Sequence, residues 1–151
     1  MENTIQDTIE REFVTSASKE RVFKALSDPE QITTWFPDAI EGDFKAGERV
    51  VFNFEGHGKA PLYVVAMDPN DYFAYRWVPG SNSDPEGVGK DILERPTTLV
   101  EFRLEEVPEG TKVMLKESGF SALPTEVMEK AFGENTNGWG FMLGRLEKVL
   151  N

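Results

Sequence analysis

The sequence predicts an α+β fold in which an antiparallel sheet is covered by one long helix at the end of the chain. Three observations predict it. Between residues 40 and 118, apolar residues recur at every second position in several segments, which is typical of strands with one dry face. Short turn-forming sequences separate these segments, and short connections of this kind join antiparallel strands. From Thr125 onward, apolar residues recur at spacings of three and four, which is the period of a helix.

The chain begins with a predicted strand and two short helices. Ile9, Phe13 and Thr15 share one parity in residues 8–15, and two glutamates share the other. Arg11 is the exception on the inner side, and the pattern predicts a strand with one wet face. Ser16 or Ser18 is a suitable N-cap for a short helix over the residues that follow. Asp28-Pro29 has the form of a second helix start, because an acceptor side chain precedes a proline at the first helical position. The second helix is expected to end near Pro37 and to carry Ile32, Trp35 and Phe36.

Several strands are predicted between residues 40 and 118, including one that carries Val113 and Leu115, and four others have a defined apolar pattern. Three of them alternate clearly, and their dry faces consist of Val50, Phe52, Phe54, Phe73, Tyr75, Trp77, Val100, Phe102 and Leu104. Residues 62–67 are apolar on both faces, so this segment is expected in the centre of the sheet or in a contact. Turn sequences lie at residues 45–48, 68–71 and 108–110. Residues 79–96 form the longest irregular stretch, which is either a lid over a binding site or a flexible loop.

The terminal helix is expected to lie across the whole sheet. A helix of about 25 residues is roughly 37 Å long. Its dry stripe consists of Met128, Phe132, Asn135, Trp139, Met142, Leu146 and Val149. Four glycines interrupt it, although each interior glycine costs a helix about 1 kcal/mol relative to alanine. They indicate a kink or a close backbone approach, with fraying near Gly138 as the alternative.

Composition narrows the possible functions. The 151 residues include 16 Lys and Arg against 27 Asp and Glu, a formal net charge of −11, and no cysteine. This length predicts a single domain over residues 1–151. The negative charge argues against a nucleic-acid partner, and the missing cysteines exclude disulfides, thiol catalysis and thiolate metal sites. No apolar run approaches the roughly 20 residues of a membrane span, and the acidic start is unlike a signal peptide. We therefore expect a cytoplasmic protein without membrane insertion.

No residue pattern identifies a catalytic or a metal site. His57, the single histidine, lies between glycines and is expected in an exposed turn, with a titrating base as the alternative. No serine lies in a Gly-x-Ser-x-Gly elbow, and residues 87–90 lack the spacing of a phosphate loop. We expect no catalytic residue, no metal and no cofactor.

Several motifs, taken in order, resemble a known family. The motifs are residues 18–30 with Trp35-Phe36, residues 42–44 with Gly47, Asp68-Pro69, residues 75–77, residues 98–104 with Gly110-Thr111, residues 117–120, and Asn135 with Gly138-Trp139. The chain resembles the helix-grip proteins of the START-related, or SRPBCC, superfamily from about Ile9 to Leu150. More narrowly, it is similar to bacterial domains related to the activator of the ninety-kilodalton heat-shock chaperone's ATPase. Ser18 departs from the family, which often has proline there.

This resemblance implies a curved sheet that grips the terminal helix and leaves a cavity between them. Across the superfamily such cavities hold lipids, sterols, polyketides and other apolar small molecules. Large side chains expected to face this space are Trp35, Phe52, Phe54, Tyr75, Trp77, Phe102, Trp139 and Met142.

Two polar residues are also candidates for the cavity. Glu117 has the same parity as Val113 and Leu115, so its carboxylate points toward the helix if the strand continues that far. Asn135 interrupts the dry stripe of the helix. Either the two residues orient an apolar ligand, or they satisfy loop backbone near Gly119 and helix ends. In a further alternative, the strand ends before Glu117 and leaves it exposed.

Three functions remain open from the sequence. The first is binding of a small hydrophobic or amphipathic molecule without catalysis. The second is an interaction module of the chaperone-activator kind, with a chaperone as partner. The third is an enzyme similar to polyketide cyclases or aromatases. The sequence does not indicate an oligomeric state.

Overall fold

The computed structural model of the chain describes residues 7–56, 58–78, 91–94, 96–123 and 125–150. Its elements in chain order are β1 (Thr8–Thr15), α1 (Lys19–Ser27), α2 (Pro29–Ile32), β2 (Ala39–Glu41), β3 (Arg49–Phe54), β4 (Gly58–Asp68), β5 (Tyr72–Trp77), β6 (Thr98–Val107), β7 (Gly110–Ser118) and α3 (Thr125–Leu150). Short 3₁₀ turns lie at Ile92–Glu94 and Phe120–Ala122. His57 and most of the loop predicted over residues 79–96 lie outside the described residues.

The strands form one antiparallel sheet in the order β1-β7-β6-β5-β4-β3-β2. Strands from β2 to β7 follow one another as a meander, whereas β1 joins the far edge beside β7. The curved sheet and the long terminal helix confirm the predicted α+β helix-grip fold. Gly110 starts β7 with φ of 141°, and a Cβ there would lie 2.1 Å from the Thr15 carbonyl oxygen. Glycine therefore permits β7 to begin against the end of β1.

A bulge in β4 explains why residues 62–67 are apolar on both faces. Leu62 and Val64 are buried before the bulge, and the pairing register shifts between Val64 and Ala66. After the shift Met67 lies opposite Phe73, which is buried, while Val65 is 39% exposed. One extra residue moves the inward face from even to odd positions. The prediction of a central strand is confirmed, because β4 lies between β3 and β5.

The two short helices begin where the sequence predicts, but the second ends early. Ser18 is the N-cap of α1 and accepts a hydrogen bond from the Arg21 backbone N–H at 3.2 Å. Asp28 caps α2 through its side chain. That helix ends at Ile32, so the expectation that it carries Trp35 and Phe36 is wrong. Both residues lie in the turn that follows, where the backbone N–H groups of Trp35 and Phe36 donate to the Ile32 carbonyl at 3.2 and 2.9 Å.

The terminal helix confirms the prediction in position and length, from Thr125 to Leu150. Within the predicted stripe Trp139 and Leu146 are buried, and the other five residues are half-buried. Ala131, Leu143 and Leu150 are buried beside them and were not in the predicted stripe.

The glycines of α3 do not mark a close approach to another element. A Cβ added at Gly133, Gly138, Gly140 or Gly144 would have no atom of another described element within 4 Å. The expectation of close backbone approach is therefore wrong. The helix also continues through Gly138, so fraying there is wrong. Among the described residues, no helix is both long enough and apolar enough to cross a membrane.

Candidate functional site

The inner face of the sheet and α3 together enclose a cluster of rings. We define the aromatic cluster as Trp35, Phe36, Phe52, Phe54, Tyr75, Trp77, Phe102 and Trp139. Neighbouring rings in it lie 5.1–6.5 Å apart between centroids. The structure thus brings together all seven aromatic side chains that the sequence placed between sheet and helix. They converge because alternate residues of β3, β5 and β6 point to the same face.

Trp139 is the member of the cluster that α3 contributes. Its ring lies 6.0 Å from those of Trp77 and Phe102 and 5.5 Å from that of Phe36. Phe36 also contacts Phe52 and Phe54, yet it was not among the predicted cavity residues. The available signal was its position next to Trp35 in an apolar pair. The structure packs Met142, the remaining apolar candidate, half-buried against the same core.

Glu117 is fully buried at the centre of this interface, with 0% of its surface exposed. Trp139 Nε1 donates to Oε1 at 2.7 Å, and Trp77 Nε1 donates to Oε2 at 2.9 Å. Thr98 Oγ1 donates to Oε2 at 2.6 Å. Asn135 Nδ2 donates to both oxygens, at 2.9 and 3.0 Å. One carboxylate therefore joins β5, β6 and β7 to α3.

The donors around Glu117 fill the capacity of its two oxygens. Each indole and amide N–H can only donate, and a carboxylate offers about four lone-pair sites. Five hydrogen bonds reach these sites, all from uncharged groups. Among the described residues that are buried, Glu117 is the one with a charged side chain. The site is therefore an anion held by neutral donors.

This arrangement rules out two of the interpretations that the sequence left open for Glu117, and a role in orienting a ligand stays a prediction. Strand β7 continues to Ser118, so an exposed Glu117 is wrong. The backbone N–H of Gly119 donates to Asp7 Oδ2 at 3.2 Å instead, so capping of that loop by Glu117 is also wrong. Glu117 and Asn135 contact each other, which the sequence did not indicate.

Tyr75 is as fully buried as Glu117 but differs from it in hydrogen bonding. Its side chain is 0% exposed, and its hydroxyl has no hydrogen-bond partner among the described residues. The ring lies 5.2 Å from Trp77 and 6.0 Å from Phe52. Burial, and then the negative charge of Glu117, raises the pKa of Tyr75 well above its usual range. The hydroxyl thus keeps its proton and is available as a donor.

Trp35 lies at the edge of the cluster nearest to α1 and has a structural task there. Its Nε1 donates to the Ala25 carbonyl at 2.8 Å. In a continuing helix that carbonyl would accept from residue 29, which is proline and has no N–H. Trp35 thus pairs a carbonyl that the helix break exposes.

A separate groove of about 630 Å³ lies on the charged side of the sheet. Its lining consists of Glu10, Arg11, Glu12, Glu101, Arg103, Met114, Leu115 and Lys116. The groove shares no residue with the aromatic cluster. Beside it, Tyr72 donates to Glu101 at 2.6 Å, and burial followed by this hydrogen bond raises the pKa of Tyr72 to about 12. No sequence pattern indicates this groove, because alternating charges on an outer face are typical of solvated strands.

Within the described ranges, no group of three or more acidic or histidine side chains could hold a metal ion. The described donors in the ring cluster are hydroxyl, indole and amide groups around one carboxylate. The chemistry that this arrangement supports is burial of apolar surface and neutral hydrogen bonding.

The chain is similar to several solved structures over nearly its whole length. Protein MLL2253 from Mesorhizobium loti has 26% identity and a TM-score of 0.75, covering 95% of this chain and 96% of that one. The Aha1 dimer from Colwellia psychrerythraea has 21% identity and a TM-score of 0.72, covering 96% of each chain. CalU16 from Micromonospora echinospora has 22% identity and a TM-score of 0.63, covering 95% of this chain and 74% of that one. A search of curated protein sequences found no significant match.

Comparison with family models gives the family directly. Residues 16–151 match the model described as Activator of Hsp90 ATPase homolog 1-like protein. The matched region includes every member of the aromatic cluster, together with Glu117 and Asn135. The chain therefore belongs to the family of Activator of Hsp90 ATPase homolog 1-like proteins, as the resemblance of its motifs predicted.

Proposed function

We propose that this chain, acting as one domain in the cytoplasm, binds a small hydrophobic or amphipathic molecule between the sheet and α3 without catalysing its conversion. The observation that carries the proposal is the position of Glu117. This carboxylate is fully buried among aromatic rings at the interface between sheet and helix.

Stability alone does not explain a buried carboxylate at this interface. Removing an anion from water costs several kcal/mol, and well-packed apolar residues of similar volume are often at least as stabilising in its place. The interface nevertheless uses Glu117 to fix two indole rings, those of Trp77 and Trp139. We infer that the rings are held in one orientation because they form the wall against which a ligand packs.

The ligand would enter at the border of the aromatic cluster and displace side chains there to reach the rings of its interior. Phe54, Phe132 and Met142 are half-buried and pack against the core. Their side chains can rotate outward without opening the sheet, since each retains a path to solvent. Burial of ligand surface there contributes about 25 cal/mol per Å². The polar groups of the interface would then set the ligand's orientation.

The hydrogen bonds of Glu117 support the proposal that the chain binds its ligand without catalysis. A general base must be within hydrogen-bond reach of the proton that it removes. Both oxygens of Glu117 already accept hydrogen bonds from its neighbours. No second charged side chain is buried among the described residues, so no acid–base pair is available there.

Uptake of a fluorescent hydrophobic dye tests this function. We expect the full chain to bind the dye, and Trp139→Ala to weaken binding about tenfold, because a large aromatic wall is lost. Phe54→Ala is a second variant whose half-buried position reduces the risk of unfolding. Phe141→Ala is the matched control on α3, because Phe141 is 65% exposed and should leave uptake unchanged.

Circular dichroism must show that each variant is folded. Native mass spectrometry of freshly purified protein should also detect a small molecule that leaves on denaturation. Unchanged dye uptake in both Trp139→Ala and Phe54→Ala would exclude this site.

A chaperone partner is the second candidate, favoured by the family match over residues 16–151. Phe141 is an exposed aromatic residue on α3, the kind of side chain that dominates the energy of many interfaces. If the surface performs the function, the chain should stimulate the ATPase of the ninety-kilodalton chaperone, and Phe141→Ala should reduce that stimulation. Trp139→Ala should leave stimulation intact in this case. A chaperone ATPase rate that does not change on adding the domain removes the candidate.

A further inference from the structure

Among the buried side-chain nitrogen and oxygen atoms of the described residues, the Tyr75 hydroxyl is the one without a hydrogen-bond partner. It lies on β5 between Val64 of β4 and Val100 of β6, both fully buried. Its hydroxyl oxygen is enclosed and has no partner in the described part of the chain. Phenylalanine would fill the same apolar surroundings without leaving a polar atom unpaired. The hydroxyl therefore requires an explanation outside the packing of the core.

Glu117 cannot be that partner or a ligand's main contact, because its acceptor sites are filled. Its five hydrogen bonds come from Thr98, Trp77, Trp139 and Asn135. A ligand donor would have to displace one of these groups and leave it unpaired. The polar contact left open in the interface is donation by Tyr75.

We infer that Tyr75 donates a hydrogen bond to an uncharged acceptor oxygen, of the carbonyl type, on an otherwise apolar ring-bearing ligand. This inference rests on the proposed function and names the class of molecule that the site accepts. The aromatic cluster contacts the ring system, and the Tyr75 hydroxyl contacts the single polar atom.

The charge of the interface excludes anionic ligands. Trp77 contacts both residues, because its Nε1 donates to the Glu117 carboxylate at 2.9 Å and its ring lies 5.2 Å from that of Tyr75. The buried described residues offer no cation that would compensate a second negative charge. A carboxylate or phosphate on the ligand would therefore be desolvated beside a like charge. Neutral ketones, esters and similar carbonyl compounds fit, whereas fatty-acid anions do not.

Three probes of nearly equal shape test the inference by equilibrium dialysis against the full chain. The probes are 2-acetylnaphthalene, which has a neutral carbonyl, 2-ethylnaphthalene, which lacks it, and 2-naphthoate, which is an anion. We expect 2-acetylnaphthalene to bind about tenfold more tightly than either of the others, because its carbonyl oxygen accepts a hydrogen bond from the buried Tyr75 hydroxyl. In Tyr75→Phe the two neutral probes should bind with about equal affinity, and the affinity for 2-ethylnaphthalene should be unchanged.

The carbonyl stretching band gives a readout that a structural role would not move. Bound 2-acetylnaphthalene should show a lower frequency in the native chain than in Tyr75→Phe, because the hydrogen bond weakens the C=O bond. Equal binding of the two neutral probes by the native chain, or an unchanged preference in Tyr75→Phe, would overturn the inference and leave the proposed function standing. Binding of 2-naphthoate as tight as that of 2-acetylnaphthalene would also overturn it. Failure of both neutral probes to bind would overturn the proposed function and the inference together.

Discussion

Replacing Glu117 with alanine is expected to lower the free energy of unfolding by about 4 kcal/mol, which is a large share of a small domain's stability. The substitution removes the acceptor for the Trp77, Trp139, Thr98 and Asn135 donors at once. Each buried donor left unpaired costs about 1–3 kcal/mol, partly offset because the anion itself no longer has to be desolvated. Urea unfolding followed by circular dichroism measures the change.

Two further variants separate the loss of acceptors from the loss of volume. Glu117→Gln keeps the shape and one acceptor oxygen but places an NH₂ against donors, so it should lose less stability than alanine and still several-fold more than a surface change. Glu105→Ala on the exposed side of β6 is the control, with an expected change within about 0.5 kcal/mol. A loss below about 1 kcal/mol in Glu117→Ala would contradict the role of the carboxylate as the tie between sheet and helix.

Replacing Trp35 is expected to be nearly as damaging, for a different reason. Trp35 is 0% exposed, and its indole N–H pairs the Ala25 carbonyl at the break between α1 and α2. Trp35→Phe keeps most of the ring but leaves that carbonyl unpaired, and should cost about 2 kcal/mol. Trp35→Ala also opens a cavity against Phe36 and Phe102, and should cost about 4 kcal/mol.

Phe141→Ala is the control for the loss of stability expected in the Trp35 variants. Both substitutions delete a large aromatic side chain, but Phe141 is 65% exposed and has little packing to lose. Guanidinium unfolding of the three variants should therefore rank Trp35→Ala as least stable and Phe141→Ala as close to the native chain. If Trp35→Phe were as stable as Phe141→Ala, the hydrogen bond to Ala25 would not be a determinant of this corner of the fold.

The Glu117 and Trp35 variants distinguish residues that only stabilise the fold from residues that also shape the ligand site. Trp35 stabilises the break between two helices, and its burial follows from that task alone. Glu117 stabilises the present packing, yet an apolar interface could be equally stable. Substitutions at Trp35 should thus lower stability more than they weaken ligand binding. Substitutions at Trp77 and Trp139, which Glu117 orients, should reduce both stability and ligand binding.

The sequence by itself determined the inward faces of β3, β5, β6 and α3, but not the short strand β2 or the end of α2. A period of two along β3, β5 and β6, and a period near 3.6 along α3, are local properties that the chain shows residue by residue. The same periods predicted that Trp139 and Tyr75 point into one interface. Local capping chemistry likewise predicted helix starts at Ser16 or Ser18 and at Asp28, and the structure has Ser18 and Asp28.

Only the tertiary structure decided which polar groups meet. Parity shows that Glu117 turns inward, but its donors come from residues 18 to 40 positions away along the chain. Pairing at that separation depends on sheet register, on the bulge in β4 and on how α3 lies across the strands. The same holds for Tyr75, because no local pattern shows that a hydroxyl will lack a partner. A hydrogen bond between distant side chains requires that the donor–acceptor distance be correct to within a few tenths of an ångström. That distance is set only when the chain has folded.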